Sequence, residues 1–288
     1  MGYFCGDPGQ EIRVPRHGGI RGDRLNAGHY QDRHGIGFSL LLETQPGESV
    51  GPIYRRLTGD RPFSKAILEA QERARIPIIV DIKPISPRDG NLLKQRKPAD
   101  LARLVEQAGA CAVSVVTESR HFGGNIGVLR EVTQSCSLPV LQKDFFSKPE
   151  QITESHEAGA RAFLIIMATT SDEIALNLLQ QGRQLGMEAV VEIHTAEELK
   201  RALRLDPTII GINNRNICRL EMDEGDVRVT EALAPAVPEH IVTVSESSLQ
   251  SRDDVQRAIR AGADAVLVGT AVLKAADLHS CLVDLTAF

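Results

Sequence analysis

The chain has 288 residues, of which 42% are hydrophobic and 25% are charged, and its formal net charge is −5. This acidic balance disfavours a protein that coats nucleic acid, because such binding depends on a basic surface. The longest apolar run near the start is too short to cross a bilayer, and no basic stretch precedes an apolar one at Met1, as it would in a secretory signal.

The cysteine pattern points to the same class of protein. Five cysteines are widely spaced, with no C-x-x-C pair, which disfavours a zinc site and a disulfide framework. We therefore expect a cytoplasmic globular protein whose partner is a small molecule rather than nucleic acid or a membrane. The oligomeric state stays open between a monomer and a homodimer.

Residues 1–60 differ in composition from the rest of the chain. They are rich in glycine, contain no lysine and show poor hydrophobic periodicity. We interpret them as an irregular N-terminal arm, and residues 61–288 as the catalytic domain. The alternative for the arm is a lid over a binding site, because long segments without secondary structure are usually either functional or disordered.

Three segments, at 107–116, 157–166 and 260–269, share an Ala-Gly-Ala step followed by an apolar run. Each predicts the end of a helix, a glycine in the left-handed C′ position and a short buried strand. With the other apolar runs they give eight strand candidates, at 78–83, 112–116, 139–143, 162–167, 188–193, 209–212, 241–245 and 265–268.

Strands this apolar are typical of a parallel sheet that is covered by helices. Eight of them, alternating with amphipathic stretches, match a (β/α)8 TIM barrel, whose usual length is about 250 residues. A doubly wound open sheet is the competing fold, but the G-x-G-x-x-G loop expected of it is missing from the sequence. We predict an α/β chain with a TIM barrel behind an irregular N-terminal arm.

Polar side chains follow most of the predicted strands, at the end where TIM barrels build their active sites. Such groups are costly to bury unless they pair with one another or with a ligand, so we interpret them as a catalytic cluster. Strand alternation places Asp81 with Lys83, and Glu192 with His194, on shared faces, and lets Lys143 meet Asp81 or Glu192. The candidates are Asp81, Lys83, Lys143, Glu192, Asn213, Arg215 and Glu246.

The last two predicted strands indicate a phosphate site. Gly269 and Thr270 open a helix after the eighth strand, and Ser247 with Ser248 lies in the preceding loop. In TIM barrels these two loops commonly bind phosphate through backbone N–H groups. We also weighed Glu192 and His194 as metal ligands, but no other histidine or cysteine has ligand spacing, so we predict no metal.

A series of short motifs carries a family resemblance. In chain order they are VDIKPISPRDG at 80–90, SVVTE at 114–118 with FGG at 122–124, PVLQKDF at 139–145, LGMEAVVEIH at 185–194, IGINNRN at 210–216, VSES at 244–247 and LVGT at 267–270. Together they resemble the indole-3-glycerol-phosphate synthase family over residues 62–280. The resemblance implies closure of the indole pyrrole ring in tryptophan biosynthesis, without cofactor or metal. The implied substrate is 1-(2-carboxyphenylamino)-1-deoxyribulose 5-phosphate, and the implied products are indole-3-glycerol phosphate, CO₂ and water.

The resemblance also implies roles for individual residues. Lys143 is expected to act as the general acid of ring closure, Glu192 as its acid–base partner in dehydration, and Lys83 as a group that binds the substrate and assists proton transfer. Asp81 stands at a catalytic position. The residues expected to bind substrate are Asn213, Arg215 and Glu246 at the anthranilate portion, Ser247, Ser248, Gly269 and Thr270 at the phosphate, and Ser86 with Phe122 along the wall.

Three positions depart from the family pattern. The family normally has glutamate where this chain has Asp81, a small serine where it has Arg88, and glycine where it has Ser248. These departures leave two alternatives open. One is a diverged paralogue that acts on another phosphorylated amino-sugar or aromatic acid; the other is a non-catalytic barrel that binds a phosphorylated ligand.

Overall fold

Eight parallel strands close into a barrel in the computed structural model, which describes residues 61–73, 75–220 and 222–286. The strands in chain order are β1 (Ile78–Ile82), β2 (Ile85–Ser86), β3 (Gly90–Asn91), β4 (Ala112–Val116), β5 (Val140–Lys143), β6 (Ala162–Ile166), β7 (Glu188–Ile193), β8 (Ile209–Asn213), β9 (Val242–Glu246) and β10 (Ala265–Val268). The order around the barrel is β1-β10-β9-β8-β7-β6-β5-β4, while β2 and β3 form a separate antiparallel hairpin. The predicted TIM barrel is confirmed, and the predicted arm at 1–60 lies outside the described residues.

Helices alternate with these strands and cover the outside of the barrel. They are α1 (Pro62–Glu72), α2 (Pro98–Gln107), α3 (Ile126–Thr133), α4 (Pro149–Glu157), α5 (Asp172–Gln184), α6 (Ala196–Leu203), α7 (Arg228–Leu233), α8 (Arg252–Arg260), α9 (Thr270–Lys274) and α10 (Leu278–Thr286). Several begin at residues suited to a helix start, with proline in the first turn of α1, α2 and α4 and a side-chain cap from Asn125, Ser171, Thr195 or Ser251. Among the described residues, no helix combines the length and the apolar character needed to cross a bilayer.

The three repeated Ala-Gly-Ala steps perform the turn that their sequence predicts. Gly109, Gly159 and Gly262 have φ angles of 87°, 92° and 106°, in the left-handed region that glycine adopts without a steric cost. Each ends a helix and directs the chain into a buried strand, namely β4, β6 and β10. The repeat therefore sets the α-to-β step at three places around the barrel.

Strand side chains alternate between the helical layer and the barrel interior. On β1, Val80 and Ile82 belong to the core beneath the helices, whereas Ile79 belongs to a second core inside the barrel. Asp81 therefore shares the inner face with Ile79. The inner core also includes Leu141, Leu164, Val190, Ile209, Val244 and Leu267, which form an apolar layer below the polar strand ends.

The N-terminal opening of the barrel is closed by α1. Phe63 and Ile67 of this helix are fully buried in the inner core. The backbone N–H groups of Phe63 and Ser64 donate to Oε2 of Glu188, at 2.8 and 3.1 Å. Because Glu188 is the first residue of β7, this carboxylate satisfies the open helix start at the bottom of the barrel. This end of the barrel is therefore closed by protein side chains.

Candidate active site

Lys143, the last residue of β5, lies among carboxylates at the C-terminal end of the barrel. Its Nζ is 2.6 Å from Oε2 of Glu246 and 3.8 Å from Oε2 of Glu192. Both glutamates are fully buried. The predicted approach of Lys143 to Glu192 is confirmed. The shorter contact is made by Glu246, for which the resemblance implies a role in binding the substrate.

The charges around Lys143 decide its protonation. Burial opposes its positive charge, but Glu246, Glu192 and Asp81 outweigh this effect and hold the pKa of the Lys143 ammonium above its ordinary value. Lys143 is therefore protonated at neutral pH. It is a partly buried proton donor with acceptors on three other strands, β1, β7 and β9, which is the arrangement that general acid–base chemistry requires.

Glu246 reaches Lys143 because β8 carries a glycine beside it. A β-carbon added at Gly211 would lie 2.2 Å from Oε1 of Glu246 and 3.1 Å from Cγ1 of Val190. The space that any larger residue would fill is thus occupied by the carboxylate. Gly211 is a site residue that the sequence analysis missed, although a glycine inside a strand is itself a signal of close approach.

A polar cavity of about 400 Å³ opens above this cluster. Its volume lies within the range of small-molecule sites. Lys143 forms part of its floor, together with Asp81 and Lys83 from β1 and the loop that follows it. Its wall includes the predicted residues Arg215, Ser247, Ser248, Gly269 and Thr270, together with Arg88 and Lys274.

Two serines at the wall of this cavity have a left-handed backbone conformation. Ser247 and Ser248 both have positive φ angles, 67° and 57°, which is uncommon for residues with a side chain. Ser248 keeps this conformation while its Oγ accepts from Nε of Arg215 at 3.2 Å and donates to the carbonyl of Glu224 at 3.3 Å. Ser248, which stands where the family normally has glycine, therefore keeps a glycine-like backbone conformation. Its side chain adds hydrogen bonds to the loop after β8.

A smaller apolar pocket of about 40 Å³ adjoins the polar cavity. Asp81, Lys83 and Lys143 line both, so these three residues mark the place where the two meet. Glu192 and Asn213 also line the smaller pocket. Its apolar wall consists of Val116, Phe122, Phe145, Leu164, Ile166 and Ile217.

Lys83 lines both the polar cavity and the apolar pocket. It is buried, and its Nζ lies 5.8 Å from the centre of the Phe122 ring, within the range of a cation–π contact. Phe122 is held by the loop after β4, where Glu118 accepts its backbone N–H at 3.1 Å and that of His121 at 2.7 Å. The predicted wall position of Phe122 agrees with this arrangement.

Two predicted residues line neither cavity. Ser86 is buried in the β2–β3 hairpin, where its Oγ accepts the N–H of Asp89 at 3.2 Å, and Glu246 lies behind Lys143. Arg88, the second departure, is exposed and donates from Nη1 to the carbonyl of Asp223 at 3.3 Å. Arg88 and Ser248 therefore bind successive carbonyls of the same loop.

Asn214, a buried asparagine at the end of β8 for which the sequence predicted no role, fixes the end of β9. Nδ2 of Asn214 donates to Oγ of Ser245 and to the carbonyls of Glu246 and Ser247, at 3.0 to 3.1 Å. Its Oδ1 accepts from the N–H and hydroxyl of Thr230.

Among the residues that the structure describes, no group of three or more histidine, cysteine or acidic side chains is arranged to hold a metal ion.

The family model for indole-3-glycerol phosphate synthase matches residues 42–285. Curated relatives with that name are 42% identical in Pyrococcus furiosus, over 74% of this chain and 91% of the relative, and 42% identical in Thermococcus kodakarensis, over 75% and 92%. A third, from Kineococcus radiotolerans, is 41% identical over 76% of this chain and 78% of the relative. The chain belongs to the indole-3-glycerol phosphate synthase family.

Membership of this family extends further upstream than the motifs indicated. The family match begins at residue 42, whereas the motifs carry the resemblance over 62–280; residues 42–60 lie outside the described part of the chain.

Among solved structures, thiamine phosphate pyrophosphorylase from Pyrococcus furiosus matches with a TM-score of 0.53 and 13% identity, over 73% of this chain and 93% of that one. At that identity the likeness concerns the fold alone.

Proposed function

We propose that the protein is an indole-3-glycerol phosphate synthase, which converts 1-(2-carboxyphenylamino)-1-deoxyribulose 5-phosphate to indole-3-glycerol phosphate, CO₂ and water. The observation that carries the proposal is the position of Lys143, a partly buried cation where the polar cavity meets the apolar pocket. The substrate has the matching division, with an aromatic acid at one end and a sugar phosphate at the other. The reacting ketone lies between the two ends.

Ring closure needs a proton at the ketone oxygen. The aromatic carbon that bears the carboxylate attacks the ketone carbon, and the oxygen takes the proton of the Lys143 ammonium as the new carbon–carbon bond forms. Loss of CO₂ then restores the aromatic ring. Because a developing alkoxide is a stronger base than a lysine amine, the raised pKa of Lys143 still allows this transfer.

Dehydration completes the pyrrole ring. The hydroxyl made in the first step leaves as water after gaining a proton, and the neighbouring carbon loses a proton to form the double bond. Glu192 is buried, lines the apolar pocket and lies 3.8 Å from Lys143, so it suits the acid–base exchange of this step. Lys83 borders the same junction and binds the substrate's carboxylate or assists the later proton transfer.

The phosphate belongs at the polar end in this proposal. Ser247, Ser248, Gly269 and Thr270 offer backbone N–H groups, and Ser247 and Thr270 add hydroxyls. Arg215, which the resemblance assigns to the anthranilate portion, lines this same wall and adds positive charge to it. Asn213 is placed for the anthranilate portion, since it lines the apolar pocket and its Oδ1 accepts the N–H of Arg215 at 3.0 Å.

The proposal also covers the localisation and the oligomeric state of the enzyme. We place the enzyme in the cytoplasm, as a monomer or homodimer that acts without nucleic acid. The acidic net charge of −5 supports the last point. Light scattering coupled to size-exclusion chromatography decides between one and two copies.

The test is turnover of the carboxyphenylamino-deoxyribulose phosphate, followed by the fluorescence of the indole product. Wild-type protein is expected to form indole-3-glycerol phosphate, and Lys143→Ala to lower kcat by about 10²- to 10⁴-fold, the usual contribution of a general acid. The exposed Lys200→Ala, which removes an ion pair with Glu197 on α6, is the matched control and should keep full activity. Folded wild-type protein without turnover would refute the proposal.

A further inference from the structure

Five ionisable side chains form a continuous row from the first turn of α6 to the wall of β9. Oε2 of Glu198 lies 3.1 Å from Nδ1 of His194, and Nε2 of His194 lies 3.4 Å from Oε1 of Glu192. Glu192 is 3.8 Å from Lys143, which is 2.6 Å from Glu246. The catalytic pair of lysine and glutamate is thus extended by a histidine on one side.

The loop that carries His194 is fixed by its own residues. Oε2 of Glu198 accepts both the backbone N–H of His194, at 2.7 Å, and the ring Nδ1. Thr195 caps the start of α6, where Glu198 lies in the first turn. Contacts with His194 hold the pKa of Glu198 below its ordinary value, against the effect of burial, so this carboxylate is ionised at neutral pH. It can then only accept, which puts a proton on Nδ1 and directs Nε2 at Glu192.

Charge also favours a cationic ring at this position. His194 is nine-tenths buried, which opposes the charge, but Glu198, Glu192 and Glu246 face it and together raise its pKa above the ordinary value. Lys143 also faces Glu192 and Glu246, with Asp81 nearby. A charged His194 would add its positive charge to that of Lys143 beside these carboxylates.

We propose that His194 is a positioning residue for Glu192, held by Glu198 so that a positive charge on its ring faces the catalytic carboxylate. Among the described residues, Nε2 of His194 and both carboxylate oxygens of Glu192 are buried without a hydrogen-bond partner, so the two side chains meet at 3.4 Å as an ion pair and not as a hydrogen bond. The ring therefore acts on Glu192 through its charge. This role rests on the proposed function and adds a residue to its acid–base machinery.

The first experiment replaces His194 by asparagine. The amide nitrogen of asparagine can keep the bond to Glu198, whereas nothing replaces Nε2 at Glu192. We expect His194→Asn to lower kcat by about ten-fold with less than two-fold change in KM, and to move the acidic limb of the kcat profile up by about one pH unit, because a positive charge facing the carboxylates is lost. A purely structural role would leave the profile in place.

Thr195→Ala is the matched control. It removes the cap of the same helix but leaves both His194 and Glu198, so the loop is weakened without loss of the histidine. Its pH profile should match that of the wild type. An equal shift in Thr195→Ala and His194→Asn would overturn the proposal, because loop disorder alone would then explain the result.

A second measurement does not need turnover. Nitrogen–proton NMR of the His194 ring is expected to show a titration midpoint above 6.5 in the wild type, lowered by at least half a unit in Glu192→Gln. An unchanged midpoint would overturn the link between the two residues, even if the protein made no indole-3-glycerol phosphate. Conversely, normal turnover in the wild type with unaltered kinetics in His194→Asn would overturn this role alone and leave the proposed function standing.

Discussion

Gly211 and Glu246 occupy one shared space inside the barrel: the carboxylate of the glutamate fills the position where any other residue would place its side chain. A β-carbon there would approach Oε1 of Glu246 to 2.2 Å. The contact between Glu246 and Lys143 therefore requires that Gly211 has no side chain. A substitution at Gly211 would disturb the row of five ionisable side chains without removing any charged group.

Gly211→Ala is expected to push the Glu246 carboxylate away from Lys143. Since a displacement of about 1 Å in a catalytic arrangement can cost a hundred-fold in rate, kcat should fall by about 10²-fold. Overpacking should also lower the free energy of unfolding by about 1–3 kcal/mol. Gly127→Ala, whose new methyl would lie 2.9 Å from the capping Oδ1 of Asn125 in α3, is the glycine-to-alanine control for kcat only. Unchanged kcat in Gly211→Ala would show that the position of Glu246 has no part in catalysis.

Glu118→Gln tests the loop that holds Phe122. Burial opposes the charge of Glu118, but backbone N–H groups of His121, Phe122 and Arg120 outweigh it and hold its pKa below the ordinary 4.5. A lowered carboxyl pKa gives stability that is present above pH 4.5 and lost as the pH falls through the folded value. The wild type should exceed Glu118→Gln by about 2 kcal/mol in urea unfolding at pH 7, and the difference should shrink at pH 3. A difference that grows in acid would contradict the assigned cause.

Ser248 can be tested by a pair of substitutions. Alanine loses the hydrogen bonds to Arg215 and Glu224 but keeps the positive φ, so Ser248→Ala should lower the free energy of unfolding by about 1–2 kcal/mol. Glycine loses the same bonds and relieves about 1 kcal/mol of left-handed strain. Ser248→Gly should therefore be the more stable variant by about that amount in urea titrations. Equal stability of the two variants would mean that the backbone at Ser248 is unstrained.

Asp81→Glu addresses the departure closest to the chemistry. Asp81 is buried at the junction of the two cavities, and the longer side chain would reach further towards Lys143 and the substrate. We expect kcat/KM for the carboxyphenylamino-deoxyribulose phosphate to rise by about ten-fold. Asp264→Glu, near the opposite end of the barrel, controls for the general effect of a longer side chain. A fall in kcat/KM would favour a site adapted to a different phosphorylated substrate.

Sequence patterns were sufficient for the fold because the same signals recur around the barrel. The three Ala-Gly-Ala steps and the apolar strands predicted the β/α alternation, and predicted strand limits differ from the observed ones by about a residue, as expected for strand ends. In β9 a shift of one residue changes the interpretation of a site residue. It was predicted over 241–245 but runs over Val242–Glu246, so Glu246 is part of the barrel wall rather than of the loop beyond it.

The partners within the site were harder to predict, because alternation gives the face of a residue but not its depth. The pattern placed Asp81, Lys143 and Glu192 on the inner face, and they meet there. It did not show that Glu246 would lie closest to Lys143, since that depends on strand stagger and on the space at Gly211. Nor did it identify Phe145, which follows β5 and forms part of the apolar wall.

The apolar layer inside the barrel has a consequence for the route of protons. Below Lys143 and its carboxylates lie Leu141, Val190 and Leu267, and further down the barrel is closed by Phe63 of α1. Hydrocarbon of this kind offers no hydrogen-bonded path for a proton. In the proposed reaction, the proton that Lys143 gives up must therefore return from the upper end of the barrel, either through the mouth of the substrate cavity or along the row of side chains that ends at Glu198. Replacement of this proton and release of product would then both take place at the same end of the barrel.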